Sequence, residues 1–162
     1  MKSESKTQRL EAVRAHPVAE LLECPASVGL LLNRSAQCLH FRAGEVVFHQ
    51  SESCRGLYLA VSGRLPRAAM WGQTPVTLAP AHAGELLELA AVLGDGHHHY
   101  TLTAQNAASL LLLPMESLDK AFQSYAPLRM KLLEELAREV SRAYYNCCLC
   151  RPALQRRANS AA

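Results

Sequence analysis

The 162-residue sequence has no long hydrophobic run, and apolar stretches such as residues 110–113 are far too short to span a bilayer. Its first six residues, Met1-Lys2-Ser3-Glu4-Ser5-Lys6, lead into no apolar segment of the kind a secretory leader needs, so a cytoplasmic protein without membrane contact is expected. A large excess of one sign of charge is lacking as well. The net charge is +3, and three arginines (Arg151, Arg156, Arg157) near the C-terminus do not make a basic face, so direct DNA binding is not expected. No nucleophile–base set and no paired carboxylates emerge from the spacing, which argues against an enzyme. Six cysteines are present, but no CxxC pair is answered by a distant second pair. Cys24, Cys38 and Cys54 stand singly among apolar neighbours, and without an export signal they are expected to be reduced thiols.

What is present is apolar content, 49% of residues, enough for the core of one domain. Leu10, Val13, Val18, Leu21 and Leu22 recur at helical spacing and predict helix over residues 7–33, broken at His16-Pro17 and resumed after Pro25 through Val28, Leu30, Leu31 and Leu32. From Cys38 the period changes to alternation. Segments 39–41, 46–49, 56–62, 64–71, 76–78, 100–104 and 108–113 read as short strands, separated by turn residues at 42–45, 50–53, Ser62-Gly63, Gly72-Gln73 and Gln105-Asn106. Short, evenly spaced strands predict an α+β, mainly β fold built on an antiparallel jelly roll.

One segment breaks the strand pattern. Residues 84–101 hold a short helical stretch, expected near 86–93, inside the β region. Beyond Pro114, residues 116–125 predict a helix. From Pro127 a stripe of Leu128, Leu132, Leu136, Val140 and Ala143/Tyr144 marks a helix of five or more turns with charge on its other faces. A helix that long exceeds what a small roll can cover, so a homodimer joined by a two-helix coiled coil through residues 127–148 is expected. The expected division is an N-terminal helical segment (1–37), the β-roll (38–114), C-terminal helices (115–150) and a disordered tail (151–162) that starts where Pro152 ends the helix.

This order of elements resembles the sensor domains of the catabolite-activator and fumarate/nitrate-reduction (CRP/FNR) transcriptional regulators, whose roll is of the cyclic-nucleotide-binding kind. Phe41-Arg42-Ala43-Gly44-Glu45-Val46-Val47-Phe48 looks like the opening strand-turn-strand, and Leu57-Tyr58-Leu59-Ala60-Val61-Ser62-Gly63 like the next strand and its glycine turn. The similarity covers roughly residues 17–146. Gln50-Ser51 departs from the family, where a glycine usually follows. The resemblance implies a site at the insert. In the family a Gly-Glu pair opens the short helix, the glutamate holds a ribose hydroxyl, backbone amides face a cyclic phosphate, and an arginine pairs with it.

Gly84-Glu85 is one candidate for that pair. The alternative makes Gly84 an earlier turn glycine and Glu88 the sugar-binding acid, since Glu88-Leu89-Ala90-Ala91-Val92-Leu93-Gly94 continues the pattern better. Either Leu87 then replaces the glycine, and its Cβ blocks close approach to a phosphate, or one residue is deleted there. The implied cassette comprises Gly84, Glu85, Leu86, Leu87, Glu88, Leu89, His98, His99 and Thr101, with His98 or His99 at the arginine position. Imidazole does not replace a permanently charged fork, which argues against tight cyclic-nucleotide binding. The family's regulators continue into a helix-turn-helix domain. The 12 residues from Arg151 to Ala162 cannot form one, so DNA binding is expected to be lost or the chain to be a truncated product.

Two clusters offer metal ligands. His97-His98-His99 suits haem or another metal, and some gas sensors of the family hold haem in the same roll, yet consecutive strand residues face opposite ways. Cys147, Cys148 and Cys150 could join a partner's thiolates around zinc or an iron–sulfur cluster. Three functions follow: a ligand-sensing regulatory domain with a degenerate cyclic-nucleotide site, a haem-dependent gas sensor, or a dimerising module that pairs with itself or a full-length relative and binds no small molecule.

Overall fold

Four consecutive leucines (Leu110, Leu111, Leu112 and Leu113) show how the chain organises itself. In an extended strand alternate side chains point to opposite faces, so a strand apolar at every position must be covered on both. The structure, a computed structural model, describes the backbone of residues 18–159 and the side chains of residues 18–145, and it covers this strand in that way. Leu110 and Leu112 point between two sheets, and Leu111 and Leu113 point outward against helices.

Eight strands build the two sheets: β1 (Gln37–Phe41), β2 (Val46–Phe48), β3 (Gly56–Ser62), β4 (Leu65–Trp71), β5 (Thr74–Ala81), β6 (Leu86–Leu87), β7 (Thr101–Thr103) and β8 (Ala108–Pro114). One sheet runs β1-β8-β3-β6 and the other β2-β7-β4-β5, with antiparallel pairing throughout. Phe48, Tyr58, Leu65, Leu87, Leu102, Leu110 and Leu112 fill the space between them. The expected antiparallel roll is therefore the observed β-sandwich.

Helices close the outer face of the first sheet: α1 (Val18–Leu21), α2 (Ala26–Ser35), α3 (Leu89–Leu93), α4 (Met115–Ser124) and α5 (Ala126–Asn159). Val18, Leu32, Leu89, Leu118, Leu128 and Leu132 form a second core with Leu57, Leu111 and Leu113. The predicted helical residues 7–17 lie outside the described residues.

Three expectations change. Leu86 and Leu87 are strand, paired with Leu59 and Tyr58, so the inserted helix is only α3 and starts at Leu89. The residues from Arg151, expected as a disordered tail, continue α5 as far as Asn159. Pro152, expected to end that helix, lies within its span. The apolar stripe of α5 also divides. Leu128 and Leu132 are buried in the domain's own core and Leu136 packs at its edge, whereas Val140 and Tyr144 face solvent. Ser51, at the turn where the resemblance leads one to expect glycine, takes φ 70°, the left-handed conformation glycine adopts without cost.

Candidate functional site

Two loops that are distant in sequence are laced together beside the insert. The Ser51 amide donates to the His98 carbonyl (2.7 Å), the His98 amide to Glu52 (2.9 Å) and the Cys54 amide to Gly96 (2.7 Å). Gln50 fastens the same turn to β4 by donating to the Met70 carbonyl and accepting from the Met70 amide. Its backbone amide donates to the Thr101 hydroxyl. This ladder holds His98 pointing inward while His97 and His99 stay exposed on either side.

The inward imidazole is fixed on two sides. Its ring stacks on Phe48 with centroids 3.8 Å apart and planes 7° from parallel. Its Nδ1 lies 2.7 Å from Oε2 of Glu88, both side chains being 1% exposed. Glu88 occupies the N-cap of α3 with φ 75°, strained for a residue with a Cβ, and its Oε1 has no hydrogen-bond partner. Cys54 completes the group: its Sγ, a Glu88 oxygen and a His98 nitrogen all lie within 4.8 Å of one another. Burial pushes the Cys54 thiol up to about 11 and the Tyr58 phenol up to about 12, with the Glu88 charge adding to both. Burial, then Glu88, raises the Tyr100 phenol as well. These groups are neutral at physiological pH.

Next to them is a cavity of about 70 Å³, lined among others by Arg67, Glu88, His99, Tyr100 and Glu139. Arg67 of β4 reaches Glu85 at 3.6 Å and sits 5.6 Å from the Tyr100 ring centroid. Glu139 comes from α5, and desolvation raises its carboxyl above the ordinary range while Arg67 pulls it down.

Of the sequence-derived candidates, Leu86, Leu87, Glu88, Leu89 and His99 line this cavity. Gly84 is an exposed turn residue with φ 91°, Glu85 serves as the partner of Arg67, and Thr101 anchors the Gln50 turn. His98 belongs to the interior. The three histidines do not converge: His97 and His99 turn back to Asp95 while His98 meets Glu88. The side chains of Cys147, Cys148 and Cys150 lie outside the described residues. Sequence reasoning missed Arg67, Tyr100, Glu139 and Cys54, because strand order and the loop ladder bring them in from distant segments.

The cyclic nucleotide-binding domain family matches residues 38–125, more than half of the chain. This chain belongs to that family. A comparison with curated proteins found no match. Among solved structures it is similar to the catabolite activator protein of Thermus thermophilus, at 26% identity and a TM-score of 0.65 over 79% of this chain and 60% of that one. It therefore spans less than two thirds of that protein's length. The sensor domain of the transcriptional regulator DNR from Pseudomonas aeruginosa matches at 19% identity, TM-score 0.64, over 74% of this chain and 91% of that domain. The regulatory domain of Toxoplasma gondii PKA, solved with cAMP, matches at 16% identity and TM-score 0.61 over 75% of this chain and 45% of that one.

Glu88, the preferred candidate acid, is hydrogen-bonded to His98, and of the two histidines aligned with the family's arginine His98 is buried while His99 is exposed beside the cavity. Among the described residues no helix is long and apolar enough to cross a membrane.

Proposed function

We propose that this domain is the ligand-sensing part of a CRP/FNR-like transcriptional regulator in which the cyclic-nucleotide site has been altered. Its role is regulatory, without catalysis. The observation that carries the reading is the position of Glu139: the helix α5 forms one wall of the cassette cavity, so an occupant touches the element that leaves the roll. Arg67 supplies a cation from β4 and His99 a second polar group, which favours a small polar ligand. A cavity of about 70 Å³ falls well below the roughly 300–1,000 Å³ of pockets that enclose drug-sized ligands. A cyclic nucleotide would have to displace α3 or α5, and Glu88 would have to leave His98.

Haem is the less favoured occupant: a cavity of about 70 Å³ would have to open for a porphyrin, and His98, the one buried histidine among the described residues, would have to leave Phe48 and Glu88.

Dimerisation belongs to the proposal with a specific face. Met130, Leu133, Ala137, Val140 and Tyr144 are exposed on α5 at alternating spacings of three and four, the seam of a two-stranded coiled coil. A second copy of the chain covers it.

Calorimetry with cyclic AMP and cyclic GMP at millimolar concentration is expected to give no heat, and binding at micromolar concentration would overturn the altered-site reading. Sedimentation equilibrium is expected to find a dimer at micromolar concentration that V140E converts to monomer. A wild-type monomer there removes the coiled coil.

A further inference from the structure

We infer that Cys54, Glu88 and His98 form a binding site for a divalent transition-metal ion, which adjoins the cassette cavity through Glu88 and uses only the middle residue of the histidine run. Three segments supply one ligand each: the loop before β3, the turn into α3 and the loop before β7. Their donor atoms lie within 4.8 Å of one another, the one such group among the described residues. The set mixes a sulfur, an oxygen and an imidazole nitrogen, which suits zinc and its neighbours rather than magnesium or calcium.

The arrangement of these side chains holds a cost that a cation would relieve. Oε1 of Glu88 is buried without a hydrogen bond, and burying a carboxylate oxygen with no partner is unfavourable. Glu88 adopts a strained backbone conformation that turns this carboxylate inward. The ring of His98 is set by Phe48 and Glu88, so that ligand is oriented before any ion arrives. The ladder fixes the Cys54 backbone, whereas its thiol, which donates to the Gly56 carbonyl at 3.2 Å, must turn toward the ion.

Charge selects the ion. Binding releases the Cys54 thiol proton to solvent, so the thiolate and the Glu88 carboxylate carry two negative charges and His98 none. A divalent ion leaves the interior neutral, and a monovalent ion leaves it with one uncompensated charge. Zinc–ligand distances of about 2.0–2.3 Å require the donors to draw in by roughly 1 Å, within reach of a Cys54 rotamer and the Glu88 turn. Three protein ligands leave a fourth position open. Glu88 also lines the cavity, so an occupant of the cavity lies next to the metal.

The test uses the full chain in a C147S/C148S/C150S background, so that the C-terminal thiols do not contribute. After chelator treatment, cobalt(II) titration is expected to give a thiolate-to-cobalt charge-transfer band and tetrahedral visible bands that saturate at one equivalent and are bleached by zinc. C54S in that background should lose the charge-transfer band, weaken zinc binding more than about a hundredfold and lose the zinc-induced rise in Tm. Its far-ultraviolet circular dichroism without metal should match the background protein. No charge-transfer band in the background protein overturns the site, and so does a band that survives C54S. E88Q provides a second variant: it should keep the thiolate band but weaken zinc binding, and unchanged zinc affinity removes Glu88 from the ligand set. Cyclic-nucleotide calorimetry leaves this outcome untouched, so the metal site and the altered cassette fail separately.

Discussion

Glu88 combines three features that rarely meet in one residue: burial, a left-handed backbone and a carboxylate oxygen without a partner. Its pairing with His98 holds it in place. H98F keeps the stack on Phe48 but strands the carboxylate, whereas E88L/H98F removes both polar partners together. The double variant should therefore be more stable than the sum of its single losses predicts, with a coupling of about 1–3 kcal/mol by urea unfolding. Additive losses would mean that the pair does not interact. Titration of the neighbours gives a second expectation. Cys54 rises from 9.0 to about 11 and Tyr58 from 10.0 to about 12, both chiefly through burial. Acids whose folded value is raised contribute stability below their unfolded value and lose it as pH climbs through the folded one. Tm should hold up to about pH 9 and fall across about pH 9 to 12, and C54S should flatten the lower part of that fall. A Tm insensitive to pH over this window would remove the claim that both groups are buried neutral. At this scale the sequence was half legible. Glu88 and His98 stood out because the family pattern marks their places. Cys54 did not, because only the ladder between residues 51–54 and 96–98 makes it their neighbour.

At the scale of elements, periodicity carried most of the fold. Alternation located β1 to β4, β7 and β8 to within a few residues, because each has residues held by the core, whereas β5, exposed over its first six residues, was found from the hairpin turn at Gly72-Gln73. The two-residue strand β6 was read as helix, since its conformation comes from pairing with Tyr58 and Leu59 rather than from its own pattern. The α5 stripe misled in a different way. Helical spacing identifies an apolar face but not its partner, and Leu128 and Leu132 belong to the roll. Helix α2 offers a prediction in which two effects oppose. Replacing a mid-helix glycine by alanine ordinarily gains about 1 kcal/mol. At Gly29, however, an added Cβ runs into the Cβ of Ala19 where α1 crosses α2. The clash should win, and G29A should lower stability by roughly 1–3 kcal/mol in chemical unfolding. A19G/G29A should recover part of the loss; a stabilised G29A would mean that α1 yields freely.

Across the whole molecule, the cavity and the proposed seam meet on one helix. Glu139 lines the cavity and Val140, the next residue, stands 59% exposed on the seam. Successive residues on a helix lie about 100° apart, so a rotation or displacement of α5 that accommodates an occupant moves the seam as well. α3 packs on the same helix, which makes the insert, the cavity and α5 one mechanical unit. E139R tests this by setting a like charge against Arg67. It should push α5 from the roll, raise amide exchange in residues 89–93 and change the dimer constant by about 5–150-fold, the range of ordinary coupling energies. V140E should abolish the dimer while leaving exchange in residues 89–93 as it was, because its side chain faces away from the roll. If E139R alters neither exchange nor dimerisation, the cavity wall does not communicate with the seam, and sensing through α5 is wrong. If V140E loosens α3 as much as E139R does, the two faces are one packing surface, and α5 serves the roll rather than a second copy.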